Sequence, residues 1–485
     1  MEDFFDTEEE DWGWDEQELV DRYENMLSSR KSDFFSVDDY EELYFHYVNF
    51  YFDFRPLSEE QLKKGGRILE AAIAQYPDSE ILQLLQIYHA FKDKHISKNI
   101  LIGKLEKVPF PKYEREHFTH ILAHIYRQIG GRAKAFSLLS ALLEEADTDE
   151  DKLMLYYEIM LLYESAEQAH LAVECCNNIL KIGDLTQEEL FGEMYRYFFL
   201  KTIAIPAFEL LTQQYTFSMF AWIYLGKSYC DVLMYEEAIQ ALNYAVAISN
   251  NHPVPLIVLG RIFMEISKVS EAFECFQEAV AIDPSITGLY TEMGELLYVM
   301  EMPEQAIYSF SLALDADNND INAMLGMALA LSALERYEDS IAYIMRAKKI
   351  EELSVEGWLL LADDYIETNR DDEALAIFQQ LAKHHPRDVD VWLSYSNYYA
   401  IIEDFSQACA VLNEGLFLLN DSAPLLYRMA NYYFLQGDSK LAIPYLRLAF
   451  TYEPDFLNMF LEYDDDLAKN PQIIDFVNKL KTLKS

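Results

Sequence analysis

Three histidines, His117, His120 and His124, follow one another at intervals of three and four residues. This spacing places the three imidazoles on one face of a helix, and His120 and His124 have the i, i+4 spacing of two zinc ligands. No Asp, Glu or Cys of definite geometry completes the site, so we expect neither a metal nor another cofactor. Because histidine changes its charge near pH 6.5, a pH-sensitive partner surface is the other interpretation.

Two further pairs of polar residues recur at a separation of 34 residues. Lys227 and Arg261 are basic residues in a chain with 83 acids and 38 bases. They suit the carboxylate of a ligand, or they balance neighbouring acids, and the residues leave both readings open. Asn397 and Asn431 carry both a donor and an acceptor, so they suit a peptide backbone of any sequence. The alternative interpretation is that the two asparagines simply lie on a solvent-exposed helix face.

Catalytic chemistry finds no support in the sequence, and we expect no enzyme and no catalytic residue. None of the motifs GxxxxGK[ST], GxGxxG, GxSxG or HExxH occurs. Gly65-Gly66 and Gly130-Gly131 are interpreted as turns between helices. The polar residues above must therefore be explained by binding.

The 34-residue separation belongs to a repeat that runs without insertion from residue 219 to residue 456. Its fourth position is large, and its eighth and twentieth positions are mostly Gly, Ala or Ser. In the first repeat these positions are Trp222, Gly226 and Ala238. The seven repeats start at Met219, Pro253, Thr287, Ile321, Val355, Val389 and Ala423. The pattern resembles the tetratricopeptide repeat, with its W-x2-L-G-x2-Y motif followed by Ala, Phe, Ala and Pro.

Each repeat is predicted to form two antiparallel helices. In the first repeat we expect helix A at 220–233 and helix B at 236–249, with Gly226 where helix A approaches helix B. One such hairpin cannot bury its apolar face, whereas a stack of hairpins buries a continuous core. The predicted fold is therefore all-α, a right-handed superhelical solenoid of about eleven to twelve helical hairpins.

The repeat predicts four regions along the chain. Residues 1–35 form an acidic N-terminal segment, disordered or loosely helical, which is either a solubilising tail or an acidic-aromatic docking peptide. Residues 36–218 form degenerate helical repeats, and residues 219–456 form the seven regular ones. Residues 457–485 form a C-terminal capping region with a helix at 471–483.

The resemblance implies a groove lined by the second, fifth, ninth and twelfth residues of each helix A. The three histidines occupy the second, fifth and ninth positions of their own repeat, and Lys227, Arg261 and the two asparagines occupy ninth positions. The complete set of predicted groove residues is Lys227, Arg261, Tyr298, Asp363, Asn397, Tyr427, Asn431, His117, His120 and His124. Fifth positions of the regular repeats are neither basic nor amide, so the carboxylate clamp of some family members is absent.

Composition narrows the class of partner. A formal net charge of −45 argues against nucleic acid or an anionic membrane as the partner, and it favours basic proteins. Five scattered cysteines without metal spacing suit a reducing compartment. We expect no signal peptide and no membrane span, and therefore a cytoplasmic protein.

These observations predict a scaffold or adaptor that binds a peptide or protein segment in the groove of a helical solenoid. Two alternatives remain open. One is a structural subunit of a self-assembled complex, in which the ends of the solenoid stack. The other is a regulatory sensor that holds a small ligand or metal in the N-terminal part of the groove. The oligomeric state is not predicted.

Overall fold

The computed structural model describes residues 14–29, 35–48, 58–111, 115–183, 185–199, 201–464, 469, 473–474 and 476–477. Within these ranges all regular structure is helical, which confirms the predicted all-α class. Residues 1–13 and 30–34 of the predicted N-terminal segment and most of the predicted C-terminal helix lie outside the described residues, whereas Trp14–Ser29 of that segment is helical. No helix in the described ranges combines the length and the apolar character needed to cross a bilayer.

The helices fall into two compact units, residues 1–249 and 250–485. The helices of the first unit are α1 (Trp14–Ser29), α2 (Val37–Val48), α3 (Glu59–Gln75), α4 (Glu80–Lys92), α5 (Lys98–Leu105), α6 (Arg115–Gln128), α7 (Arg132–Glu145), α8 (Asp149–Met160), α9 (Ala169–Ile182), α10 (Gln187–Phe198), α11 (Ala204–Gln214), α12 (Met219–Cys230) and α13 (Tyr235–Ile248). A 3-10 turn, Ala166–Gln168, precedes α9.

The second unit continues the alternation of short helices. Its helices are α14 (Val254–Glu265), α15 (Val269–Ile282), α16 (Gly288–Val299), α17 (Pro303–Ala316), α18 (Ile321–Ala333), α19 (Tyr337–Ile350), α20 (Val355–Glu367), α21 (Asp371–His384), α22 (Val389–Ile401), α23 (Phe405–Leu418), α24 (Ala423–Leu435), α25 (Ser439–Tyr452) and α26 (Leu457–Glu462). A 3-10 turn, Pro454–Phe456, leads into α26.

Consecutive helices pack as antiparallel pairs in both units. In the second unit the pairs run from α14 with α15 to α24 with α25, and the first helices of neighbouring pairs also touch, as α16 touches α18. In the first unit α11 is an exception, since it packs mainly on α9 and α12 rather than on α10. The predicted stack of helical hairpins is therefore confirmed within each unit.

The turn between the paired helices has the same backbone geometry in all seven regular repeats. The fifteenth residue has a positive φ in each repeat, from 57° at Asn369 to 79° at Gly437. The amide of residue 16 donates to the carbonyl of residue 11, as Arg336 does to Leu331 at 2.9 Å. This is the Schellman ending of a helix. It also ends helix A early: α12 stops at Cys230 rather than near residue 233, because Leu233 takes a φ of 62°.

Glycines mark the close approaches that the repeat predicts. A Cβ on Gly226 would lie 2.8 Å from Leu242 Cγ, and one on Gly294 would lie 2.6 Å from Phe310 Cε1. The eighth position of the repeat therefore stays small because the facing helix B fills its space.

The predicted turn at Gly65-Gly66 is wrong, because both residues lie within α3. A Cβ at Gly65 would lie 2.7 Å from Val48 Cγ1, and one at Gly66 would lie 2.9 Å from His89 Nε2. These two glycines thus let α3 pack closely against its neighbours. Gly130, in contrast, does lie in a turn, with a φ of 73°.

Candidate peptide-binding surface

The first helix of each regular repeat presents its second, fifth, ninth and twelfth residues on one side, because these residues are separated by about whole helical turns. We call this side the A face. In the second unit the A face is carried by α14, α16, α18, α20, α22 and α24. Its fifth positions are mainly apolar and largely covered, as at Leu359, whereas several ninth positions reach solvent, as at Leu329 and Asp363.

Asp363 is the most distinctive charged group of this face. Ser354 caps the start of α20 by accepting a hydrogen bond from the amide of Gly357, and Asp363 follows in the same helix. Solvent reaches its side chain, yet surrounding protein, with smaller contributions from Asp364 and Glu367, raises the pKa of Asp363 to about 6. Among the described residues no basic side chain forms an ion pair with it.

Several A-face positions of α18 and α20 near Asp363 are aliphatic. α18 contacts α20, and both helices contribute aliphatic side chains to this side: Leu325, Leu329, Leu359 and Ile366. An ionised carboxylate without a cation, set among aliphatic groups, complements a basic side chain that brings its own alkyl stem.

Asp364, the next residue, points into the protein and was missed by the sequence analysis. It is fully buried, and the hydroxyl of Ser332 donates to its Oδ1 at 2.6 Å. Burial raises its pKa. Asp364 therefore links α18 to α20.

The two predicted basic residues both have partners within the chain. Arg261 donates two hydrogen bonds to Glu292, at 2.6 and 3.2 Å, which is the geometry of a bidentate ion pair. Lys227 lies 5.4 Å from the ring centres of both Tyr195 and Tyr224, within reach of a cation–π interaction. Lys227 belongs to the first unit and Arg261 to the second.

The three histidines lie on α6 and point to different partners. His117 Nε2 lies 2.6 Å from Glu41 Oε1, and His120 Nδ1 lies 3.3 Å from Glu158 Oε1. His124 is buried, and the amide of Gln128 donates to its Nε2 at 2.7 Å.

The imidazoles thus join α6 to α2 and to α8 rather than converging on one point. In the described part of the chain, no three His, Cys, Asp or Glu side chains are grouped as a metal site would need.

The remaining predicted residues lie on α16, α22 and α24. Tyr298 is half-buried and packs beside the core of the second unit. Tyr427 and Asn431 are 0% and 1% exposed. Asn397 accepts hydrogen bonds from Arg428, at 3.4 Å, and from the hydroxyl of Tyr463, at 3.1 Å. Neither Arg428 nor Tyr463 was found by the sequence analysis, since Tyr463 lies beyond the last repeat.

Comparisons with known proteins support the repeat assignment. Residues 355–397 and residues 423–456 each match a tetratricopeptide repeat family model. A search of curated protein sequences gave no match.

Several solved structures are similar to parts of the chain. One is a tetratricopeptide repeat protein from Parabacteroides merdae, with 16% identity, a TM-score of 0.44, and coverage of 56% of this chain and 98% of that one. Another is TTC0263, a thermophilic TPR protein of Thermus thermophilus, with 23% identity, a TM-score of 0.30, and coverage of 38% and 100%.

YrrB, described as a TPR protein with an unusual peptide-binding site, has 15% identity, a TM-score of 0.35, and coverage of 39% and 96%. At these identities the likeness concerns the fold alone. The two matched segments lie within one 34-residue register that runs from residue 219 to residue 456, so the chain contains tetratricopeptide repeats.

Proposed function

We propose that the chain is a non-catalytic, cytoplasmic scaffold or adaptor that binds a segment of another protein on the A face of its second unit. The observation that carries this proposal is Asp363, an accessible carboxylate without a basic partner among the described residues and with a raised pKa, beside aliphatic side chains. The segment it suits carries a Lys or Arg between apolar residues. The excess of acids over bases would attract such a segment from a distance.

Direct binding tests this proposal. The probes are two fluorescent peptides of the same length, one with Lys between leucines and one with Glu in place of that Lys. We expect the Lys peptide to bind wild type, and Asp363→Asn to weaken it about tenfold, since a charge-assisted hydrogen bond contributes about 1.5–3 kcal/mol.

Asp372→Asn is the matched control, because it removes the same charge from an exposed site on α21. Equal binding of the Lys peptide to wild type and Asp363→Asn, or preference for the Glu peptide, would overturn the proposal.

The raised pKa of Asp363 makes a separate prediction about pH. A basic peptide requires the ionised carboxylate, so its affinity should fall as the pH drops through about 6, and this dependence should vanish in Asp363→Asn.

The same pKa shift affects stability. The folded chain holds the Asp363 proton more tightly than the unfolded chain does, so stability falls as the pH rises from about 4 to about 6. Asp363→Asn should therefore be more stable than wild type at pH 7. The gain should be at most about 1 kcal/mol, because the side chain is solvent-exposed and screened. Urea unfolding at pH 4.5 and 7 measures it, and an equal difference at both pH values would contradict the assignment.

A further inference from the structure

The A face of the last repeat differs from the A face of the repeats before it, because the chain's own C-terminal segment lies on it. α26 contacts α24. The ring of Phe460 lies 6.4 Å from that of Tyr427 and 5.9 Å from that of Phe434. These two contacted rings occupy the fifth and twelfth repeat positions. Phe460 therefore fills the place where a ligand would meet the last repeat.

Tyr463, three residues after Phe460, covers the polar part of the same face. The guanidinium of Arg428 lies 4.0 Å from the centre of the Tyr463 ring, and the Tyr463 hydroxyl donates to Asn397 Oδ1 at 3.1 Å. One aromatic residue thus engages both a cation of α24 and an amide of α22.

The fit of this segment is incomplete at Asn431. The residue is 1% exposed, yet neither its Oδ1 nor its Nδ2 has a hydrogen-bond partner among the described residues. The Nε of Arg428 is also buried without a partner there. A buried polar group left unpaired costs about 1–3 kcal/mol. Within the described part of the chain Asn431 and the Nε of Arg428 therefore have unused hydrogen-bonding capacity, and a ligand that pairs with Asn431 would bind better.

We propose that Asn397, Tyr427, Arg428, Asn431 and Phe434 form a second peptide-binding site, which residues 457–463 fill in the free chain. Its external ligand is a helical peptide with two aromatic residues three positions apart, in the places of Phe460 and Tyr463. The inference builds on the proposed peptide-binding function and adds to it a different ligand chemistry and a built-in competitor.

The length of α26 makes exchange feasible. It has six residues, whereas an isolated helix needs about 12–15 residues to be even marginally stable in water. Its helical form therefore depends on the contacts of Leu457 and Phe460, which are buried. When a competitor occupies a site for most of the time, the apparent affinity of an external ligand falls in proportion to the open fraction.

The segment itself supplies the probe for the test. A fluorescent peptide with the sequence of residues 454–464, PDFLNMFLEYD, is titrated against the full chain. Phe460→Ala/Tyr463→Ala weakens the internal competitor and leaves the proposed site intact. We expect this variant to bind the peptide at least about tenfold more tightly than wild type does.

Two variants serve as controls. Phe456→Ala removes a partly exposed ring of the same segment and should bind the peptide as wild type does. Adding Arg428→Ala to the double variant should abolish most of the gain, because it removes the cation that lies 4.0 Å from the Tyr463 ring. If the double variant and wild type bind equally, or if Arg428→Ala leaves the gain unchanged, the proposal is overturned.

Hydrogen exchange on the unmodified chain gives a readout even if the double variant does not fold. Amides of residues 457–462 should exchange far faster than those of α24, because the segment detaches without unfolding of the repeat. Equal protection of residues 457–462 and α24 would show that the segment is an integral part of the fold, and it would overturn the proposal. If the proposal of a second site fails, the proposed binding of the Lys peptide at Asp363 still stands, because the test of that binding involves neither residue 431 nor residues 457–463.

Discussion

Both units consist of the same kind of helical hairpin, but different contacts join the helices within each unit. In the first unit, polar pairs join helices about one repeat apart: His120 with Glu158, and Tyr195 with Asp231 at 3.0 Å. The second unit also has such links, but two of its hairpins, α14 with α15 and α16 with α17, close around a glycine that faces an aromatic ring. There, one ring, that of Phe310, fills the space beside both Gly294 and Gly326.

This difference explains why the repeat is sharp in one region and blurred in the other. A ring that fits against glycine tolerates almost no substitution at either place, so the 34-residue register stays visible. A hydrogen-bonded pair can be made by several residue types at slightly different positions, so the motif fades while the hairpins remain. The comparison predicts that packing changes matter most in the second unit and polar changes in the first.

The largest expected effect follows from Gly294→Leu. The new side chain would start 2.6 Å from Phe310 Cε1, and overpacking of this kind costs about 1–3 kcal/mol. Urea unfolding measures the loss. Gly288→Leu on the same helix is the control, because nothing lies within 4 Å of a Cβ there. Equal stability of the two variants would remove the proposed role of the glycine.

A smaller loss is expected from Tyr195→Phe in the first unit. Tyr195 is buried, and its hydroxyl donates to Asp231 Oδ1, so removing it should cost about 1–2 kcal/mol. Tyr244→Phe is the control, since Tyr244 is exposed. Unfolding monitored by hydrogen exchange of α10 and α12 checks the prediction, and equal protection in both variants would argue that the polar pair adds nothing to stability.

The smallest effect on stability is expected at the turns between paired helices, where a residue with a positive φ ends the first helix in both units. Glu335 has a φ of 59°, which costs a residue with a side chain about 1–2 kcal/mol. Since glycine loses about 0.5–1 kcal/mol through its greater freedom when unfolded, Glu335→Gly should gain about 0.5 kcal/mol in thermal unfolding. Asn369→Gly should gain less, because asparagine tolerates this conformation. A loss in Glu335→Gly would contradict the assigned geometry.

The partners of the polar candidate residues come from neighbouring helices, and the spacing of residues along one helix does not reveal them. The histidine spacing on α6 correctly places three imidazoles on one helix, but the carboxylates opposite them come from α2 and α8, 76 and 38 residues away. Likewise, nothing near Arg261 in sequence reveals Glu292 as its partner. Sequence spacing describes one helix, whereas the charge state of a site depends on all the helices that surround it.

The sequence by itself determined the helical hairpin, its 34-residue register and the small residues at the helix crossing, because these depend on local periodicity and on the size of one side chain. Only the tertiary structure decided which A-face residues remain open. Asp363 is exposed to solvent and has a raised pKa, whereas Asn431, at the same repeat position, is 1% exposed on a helix that contacts α26 beyond the last repeat. Burial depends on what packs against a helix, and a repeat motif contains no information about the segment that comes after it.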